Sequence, residues 1–370
     1  MKNVDVKFLK SILQSAYLPD SNKSIYDSGS VVNIDIKEKD ILLDISINNP
    51  THHYKNKLEE VIRNSFKDIV EYKLQINFLL KENKNSDTKL ESVSKVKNII
   101  AVCSGKGGVG KSTITANLAV ALSKLGNKVG IIDADIYGPS MHIMFGIEDK
   151  LPHKINVDGR SYMQPVESHD ISILSIGFFA KKNEAMVWRG PMASKALSQM
   201  IVDAYWGELD YLLIDLPPGT GDIHLSLVQA VPVTGAIVVS TPQPIALADA
   251  RKAVGMFKMD SINVPIIGIV ENMSFFVSGD DTKHYIFGKE GAKDLANELS
   301  LDFLSSIPLV EYIRECADNG QPAVNNNELK IAEIFEQFAK KVINKVDIRN
   351  DEYLKTETVK ITHSDGCSNK

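Results

Sequence analysis

Apolar residues recur along this chain with two periods, and the switches between them outline its elements. Val6, Leu9, Ile12 and Leu13 form a helical stripe. Val32, Ile34 and Ile36 alternate with polar neighbours, as do Ile41, Leu43, Ile45 and Ile47, and polar residues 37–40 predict a turn between two strands. Asn49-Pro50 stops the second strand, because proline cannot donate to a ladder. Leu58, Val61, Ile62 and Phe66 return to helical spacing, and Leu74, Ile76, Phe78 and Leu80 alternate again. Residues 1–80 therefore predict a small α+β domain of helix, two strands, helix and strand. His52 and His53, without cysteine or acid partners nearby, suit a helix start better than a metal site. Residues 81–97 are polar and aperiodic, which predicts a linker.

Beyond the linker the rhythm changes. Short, wholly apolar runs at 99–102, 129–132, 211–214, 236–239 and 266–270 predict strands covered on both faces. Helical patterns at 114–125, 193–206, 222–230, 245–257, 291–299 and 311–318 fall around and between them. That alternation predicts an α/β fold with a doubly wound, mostly parallel sheet over residues 98–345. Residues 150–170 are expected to leave the sheet irregularly, and 346–370 to form a largely disordered tail.

Composition narrows the class without naming a function. The chain has 370 residues, 44% hydrophobic and 24% charged, which is ordinary globular material with room for two domains. A net charge of −5 weighs against a nucleic-acid scaffold, and no apolar run approaches the length of a membrane span. The first residues are broken by Lys2, Asp5, Lys7 and Lys10 and lack the apolar core of a leader. Cys103, Cys316 and Cys367 are too few and scattered for a disulfide framework, so a cytoplasmic location is expected, with neither nucleic acid nor membrane as partner.

The candidate chemistry begins at Gly105-Lys106-Gly107-Gly108-Val109-Gly110-Lys111-Ser112-Thr113, between a predicted strand and a predicted helix. The stretch fits the phosphate-loop pattern: glycines turn backbone N–H groups inward, and the helix N-terminus adds partial positive charge. Lys111 would reach the β- and γ-phosphates of ATP and Ser112 would ligate Mg2+. The same letters also spell a dinucleotide fingerprint through Gly105, Gly107 and Gly110, with Asp133 and Asp135 near the distance of a ribose-binding acid. The run from Asp215 to Asp222, Asp-Leu-Pro-Pro-Gly-Thr-Gly-Asp, decides between them. An acid ending a buried strand before a Pro/Gly turn suits the magnesium side of an NTPase, with Asp215 near the metal and the Gly219 backbone near the γ-phosphate.

Lys106, following the first glycine, makes this loop resemble the deviant phosphate loop of the ParA/MinD-like ATPases. Asp133-Ala-Asp135-Ile-Tyr-Gly-Pro-Ser140, Met186-Val-Trp-Arg-Gly-Pro191, the Asp215 segment, Ser240-Thr-Pro-Gln243 and Glu271-Asn-Met-Ser274 together resemble the Mrp/ApbC iron–sulfur cluster carriers. The N-terminal domain is similar in pattern to the MIP18-type domain of bacterial members. The resemblance implies a homodimeric ATPase that transfers iron–sulfur clusters to apoprotein clients. It also implies that Lys106 reaches the partner subunit's phosphates, Thr113 the α-phosphate and Asn272 the adenine, with Asp135 orienting the attacking water and Asp133 supporting the magnesium shell.

One expected feature is missing. The resemblance implies a Cys-x-x-Cys after Glu271-Asn-Met-Ser274, where this chain reads Phe-Phe-Val-Ser-Gly-Asp-Asp-Thr-Lys-His over 275–284. Clusters need thiolates or a mixed set with histidine, which leaves Cys367 as the candidate thiol, with His363, Asp281 or His284 beside it. An ATP-switched binding factor that holds no cluster is the alternative.

Overall fold

The computed structural model describes residues 5–19, 23–37, 40–47, 52–67, 69, 72–80, 91–179, 190–260, 262–325 and 330–352. The chain divides into two compact units, Met1–Ser86 and Asp87–Lys370. In the first, helix α1 (Val6–Ser15) is capped by Asp5, whose carboxylate accepts from the Phe8 N–H at 2.8 Å. Strands β1 (Val31–Lys37) and β2 (Asp40–Ile47) form an antiparallel hairpin, α2 (His52–Ser65) crosses over, and β3 (Lys73–Leu80) joins β2 in parallel. Ile41, Leu43 and Ile45 of β2 are buried with Leu9 and Leu13 of α1 and Leu58 and Ile62 of α2. On the opposite face Asp44 accepts from the side-chain amides of Asn33 and Asn77, at 3.2 and 3.0 Å, clasping all three strands.

The second unit begins earlier than its apolar pattern suggests. A short 3-10 turn at Glu91–Val93 precedes β4 (Val96–Cys103); Ser92, Val93 and Val96 are buried, and the Ser92 hydroxyl donates to the Ile201 carbonyl. The expected linker therefore ends before residue 91, because two valines among polar neighbours suffice to anchor a strand entry. After β4 come α3 (Lys111–Lys124), β5 (Val129–Asp133) and the one-turn α4 (Met141–Met144). The region expected to leave the sheet does so, as a separate hairpin of β6 (His153–Val157) and β7 (Arg160–Gln164) rather than as irregular chain, and β8 (Val166–Ser168) and β9 (Ile171–Ser175) follow. Then follow α5 (Gly190–Val202), β10 (Leu209–Asp215), α6 (Asp222–Ala230), β11 (Gly235–Ser240), α7 (Pro244–Phe257) and β12 (Ile266–Glu271). A small hairpin of β13 (Phe276–Val277) and β14 (Lys283–His284) leads to α8 (Gly291–Glu298), β15 (Phe303–Ser306), α9 (Glu311–Asp318) and α10 (Lys330–Glu352).

Eight strands form one sheet in the order β15-β12-β11-β4-β10-β5-β9-β8, parallel throughout except for the edge strand β8. Two apolar layers cover it: one beneath α5 to α8, the other beneath α3, α4, α9 and α10. Helix α10 extends past residue 345, with Phe335, Phe338, Val342 and Val346 buried, so the first seven residues of the expected tail belong to this helix. No helix among the described residues is long and apolar enough to cross a membrane.

Candidate nucleotide site

Parallel register brings the chemistry to one edge of the sheet. Asp215 lies beside Asp133 on β5 and beside Val102 on β4, so the carboxyl ends of three strands finish together. β4 leads into the phosphate loop, where Gly108 and Gly110 take φ of +82° and +79°, a left-handed conformation that residues with a Cβ rarely adopt. Gly105 sits against the α7 backbone at Asp249 and Ala250, where any side chain would collide. Lys111 opens α3 with Gly110 as its cap.

The Lys111 ammonium is 5% exposed and lies 2.7 Å from the Asp215 carboxylate, 3.6 Å from that of Asp135 and 3.2 Å from the Ser112 hydroxyl. Ser112 donates to Asp215 Oδ2 at 2.6 Å, and Thr115 reaches Asp215 Oδ1 at 2.8 Å. Thr115 was not among the residues expected from sequence, although it stands one helical turn beyond Lys111, on the same face. Burial alone would lower the Lys111 ammonium; Asp215, Asp135 and Asp133 outweigh it and hold it above its usual range. Asp135 is pushed up by burial, with Lys111 partly opposing.

Asp133 is fully buried, and its Oδ2 accepts from the Ser140 and Met141 N–H groups, each at 3.0 Å, and from the Ser175 hydroxyl at 2.8 Å. Its Oδ1 takes the Asp135 N–H at 3.3 Å. Burial and the nearby Asp215 charge push its carboxyl up. Asp133 thus fastens the turn that presents Asp135. Asp135 Oδ1 is itself buried without a hydrogen-bond partner. The Ser112 hydroxyl and the Asp215 carboxylate, 2.6 Å apart, are hard oxygens of the kind that would hold magnesium.

Two expected contacts are engaged elsewhere in this conformation. The Gly219 N–H donates to the Ser104 carbonyl at 2.8 Å. The Asn272 amide donates to the Val109 carbonyl at 2.9 Å, which places Asn272 behind the phosphate loop. Lys106 is exposed on the loop. Residues 186–189 and Cys367 lie outside the described residues.

A phosphate loop, a strand-end acid beneath its lysine and a doubly wound sheet are the parts of an NTPase. The model of the ParA-type NUBPL iron-transfer P-loop NTPases matches residues 95–343. The chain belongs to that family. It is similar to an iron–sulfur cluster carrier protein of Pseudomonas fragi, 46% identical over 269 residues, covering 72% of this chain and 92% of that one. The Escherichia coli K12 protein of the same name is 48% identical over 286 residues, 76% of this chain and 75% of the relative. Among solved structures, an Archaeoglobus fulgidus nucleotide-binding protein in complex with ADP matches with a TM-score of 0.58 and 36% identity, over 68% of this chain and 96% of that one. The Pyrococcus furiosus cell division ATPase MinD matches with a TM-score of 0.51 and 26% identity, over 67% and 99%. As a member of this NTPase family the chain is an ATPase.

The cargo chemistry has no such constellation. No group of three or more histidine, cysteine or acid side chains suited to a metal ion occurs among the described residues. Cys103 and Cys316 are both buried, and burial pushes the Cys103 thiol up to about 12, away from the thiolate a cluster needs. In the β13–β14 hairpin, Ser278 pairs with His284 Nε2 at 3.0 Å and with the Asp280 carboxylate.

Proposed function

We propose that this chain is a cytoplasmic, homodimeric ATPase that binds iron–sulfur clusters and transfers them to apoprotein clients. The observation that carries the reading is the cluster at the head of α3, where Lys111 sits between Asp215 and Asp135. Relatives of 46% and 48% identity that are named cluster carriers supply the cargo.

In this reading the 105–113 loop cradles the polyphosphate of ATP, Lys111 contacts the β- and γ-phosphates, and Thr113 the α-phosphate. Ser112 and Asp215 hold magnesium, with Asp133 supporting that shell from behind by fixing the Asp135 turn. When bound, magnesium neutralises charge on the phosphate oxygens. Asp135, whose Oδ1 is buried and unpartnered, orients the attacking water. Positioning and charge stabilisation are most of what phosphoryl transfer asks of a protein. Gly219 exchanges Ser104 for the γ-phosphate, and Asn272, while bracing the loop at Val109, turns its remaining oxygen to the adenine. Lys106, exposed at the loop tip, reaches the nucleotide of a second subunit, so hydrolysis depends on the dimer.

A second reading, an ATP-switched assembly factor without a cluster, is favoured by the cysteine-free hairpin and the two buried thiols. Anaerobic reconstitution of the full chain with iron and sulfide separates the two. Retention of about two to four irons per dimer, lost in Cys367→Ala, supports the carrier. Absence of retained iron in wild type, with ATP hydrolysis intact, replaces it with the switch.

A further inference from the structure

Among the buried titratable groups, His224 has no part in the chemistry above, yet it stands where the nucleotide loop enters α6. It is 1% exposed, in the first turn of that helix. Its backbone N–H and its ring Nδ1 both lie against the Gly221 carbonyl, at 3.1 and 3.3 Å. The ring packs edge-on against Phe257 at the end of α7, with centroids 6.3 Å apart. Its other nitrogen, Nε2, is buried and has no hydrogen-bond partner.

These contacts fix the tautomer. A carbonyl can only accept, so Nδ1 must carry the proton and Nε2 must present a bare lone pair to apolar surroundings. Burial keeps the ring neutral, lowering it to about 4. For packing alone the arrangement is poor. A phenylalanine ring would fill the same space against Phe257 without burying an unsatisfied nitrogen. What the imidazole adds is one donor, aimed at the carbonyl that ends the 216–221 loop.

That loop is otherwise tethered by few atoms. Leu216 N–H donates to the Val102 carbonyl at 3.0 Å and Gly219 N–H to the Ser104 carbonyl at 2.8 Å. Pro217 and Pro218 have no N–H to give. Gly219 takes a φ of +98°. The loop is thus pinned at its start, at its middle and, through Gly221, at its end.

We propose that His224 is a positioning residue for ATP hydrolysis, holding the Gly221 carbonyl through its ring N–H and so setting the loop that carries Gly219 beside Asp215. The proposal rests on hydrolysis at this site and is independent of the cargo.

Two substitutions separate positioning from packing. His224→Phe keeps the ring volume and removes both the donor and the bare nitrogen. His224→Asn keeps a donor near the Nδ1 position and loses the ring. A packing role predicts that activity follows thermal stability, with the phenylalanine variant at or above wild type and the asparagine variant below. The positioning role predicts the reverse order. His224→Phe should melt no lower than wild type, lose kcat for ATP by about tenfold and keep KM within about threefold, the signature of one hydrogen bond lost from loop geometry. His224→Asn should melt lower and recover at least about half of the wild-type kcat when assayed below its melting temperature. Hydrogen exchange gives a readout that needs no turnover: the Gly219 amide, which donates to the Ser104 carbonyl, should exchange faster in His224→Phe than in wild type or His224→Asn. A kcat for His224→Phe within about twofold of wild type, or unchanged exchange at Gly219, overturns the proposal. So does an asparagine variant as slow as the phenylalanine one.

Discussion

The side-chain amide of Asn272 donates to the carbonyl of Val109 at 2.9 Å, so the end of β12 is fastened to the back of the phosphate loop. The contact needs a glycine next door. A Cβ on Gly110 would collide with the Asn272 amide, and Gly110 also holds a φ of +79°. Gly108 has a similar φ of +82° but open space around it.

Gly108→Ala and Gly110→Ala should therefore differ. Both incur backbone strain of about 1–2 kcal/mol, but only Gly110→Ala displaces Asn272. ADP affinity measured by titration calorimetry should fall at least about tenfold further in Gly110→Ala than in Gly108→Ala. Adding Asn272→Ala to Gly110→Ala should cost less than it does in wild type, because the contact is already broken. Additive losses would mean that the two residues do not act together.

Removing the Lys111 ammonium leaves Asp215, Asp135 and Asp133 without their shared counter-charge. Lys111→Ala should lose ATP turnover by at least about 100-fold and be destabilised by about 3 kcal/mol or more at neutral pH. The carboxyls of Asp135 and Asp133, which Lys111 holds down against burial, would then be raised further, so the folded form takes up protons that the unfolded chain does not. The stability gap to wild type should therefore narrow as pH falls below neutral. Thermal melts of both proteins across that range are the check, and a gap that widens on acidification contradicts the cluster as described.

The buried His224 ring gives a pH dependence of the opposite sign. Burial lowers it from 6.5 to about 4, so below pH 6.5 the unfolded chain binds a proton that the native ring refuses. Its share of stability is complete above pH 6.5 and falls as pH drops towards 4. At the acid end of that window the loss is roughly 3 kcal/mol. Urea titrations should show a shallower acid limb in His224→Phe than in wild type, and parallel limbs would place the ring in water.

If Lys106 serves the partner's nucleotide, an inactive mixture can regain activity. In an equal mixture of Lys106→Ala and Lys111→Ala subunits, half of randomly formed dimers are mixed, and each mixed dimer has one intact site of two. Exchange of subunits should restore about a quarter of wild-type hydrolysis. Demonstrated mixed dimers without activity would exclude sharing of the lysines.

Much of the fold was legible locally. The bounds expected for α6 and α9 agree with Asp222–Ala230 and Glu311–Asp318, and five apolar runs became central strands of the sheet. The exceptions have separate causes. β15 is four residues with mostly intermediate burial, too short for a period to emerge. β8 and β9 lie beyond β5 at the edge of the sheet, where a hairpin interrupts the alternation of strand and helix. In α10 the buried stripe of Phe335, Phe338, Val342 and Val346 lies among charged residues, and only packing against α3 and the sheet makes that stripe a core face.

By itself, the sequence determined the phosphate loop, the five central strands with helices between them, and a cysteine-free segment after Ser274. Those are local facts: glycine spacing, apolar period and residue identity carry them without a fold. The tertiary structure decided which acid meets which base. Asp215 lies 103 residues from Ser112, yet its carboxylate accepts the Ser112 hydroxyl at 2.6 Å. Asp133 Oδ2 accepts from the Ser140 and Met141 N–H groups and from Ser175, a residue 42 positions away, and so fastens the turn that carries Asp135. Strand order and parallel register make these meetings, and both depend on how distant apolar faces pack rather than on any local pattern.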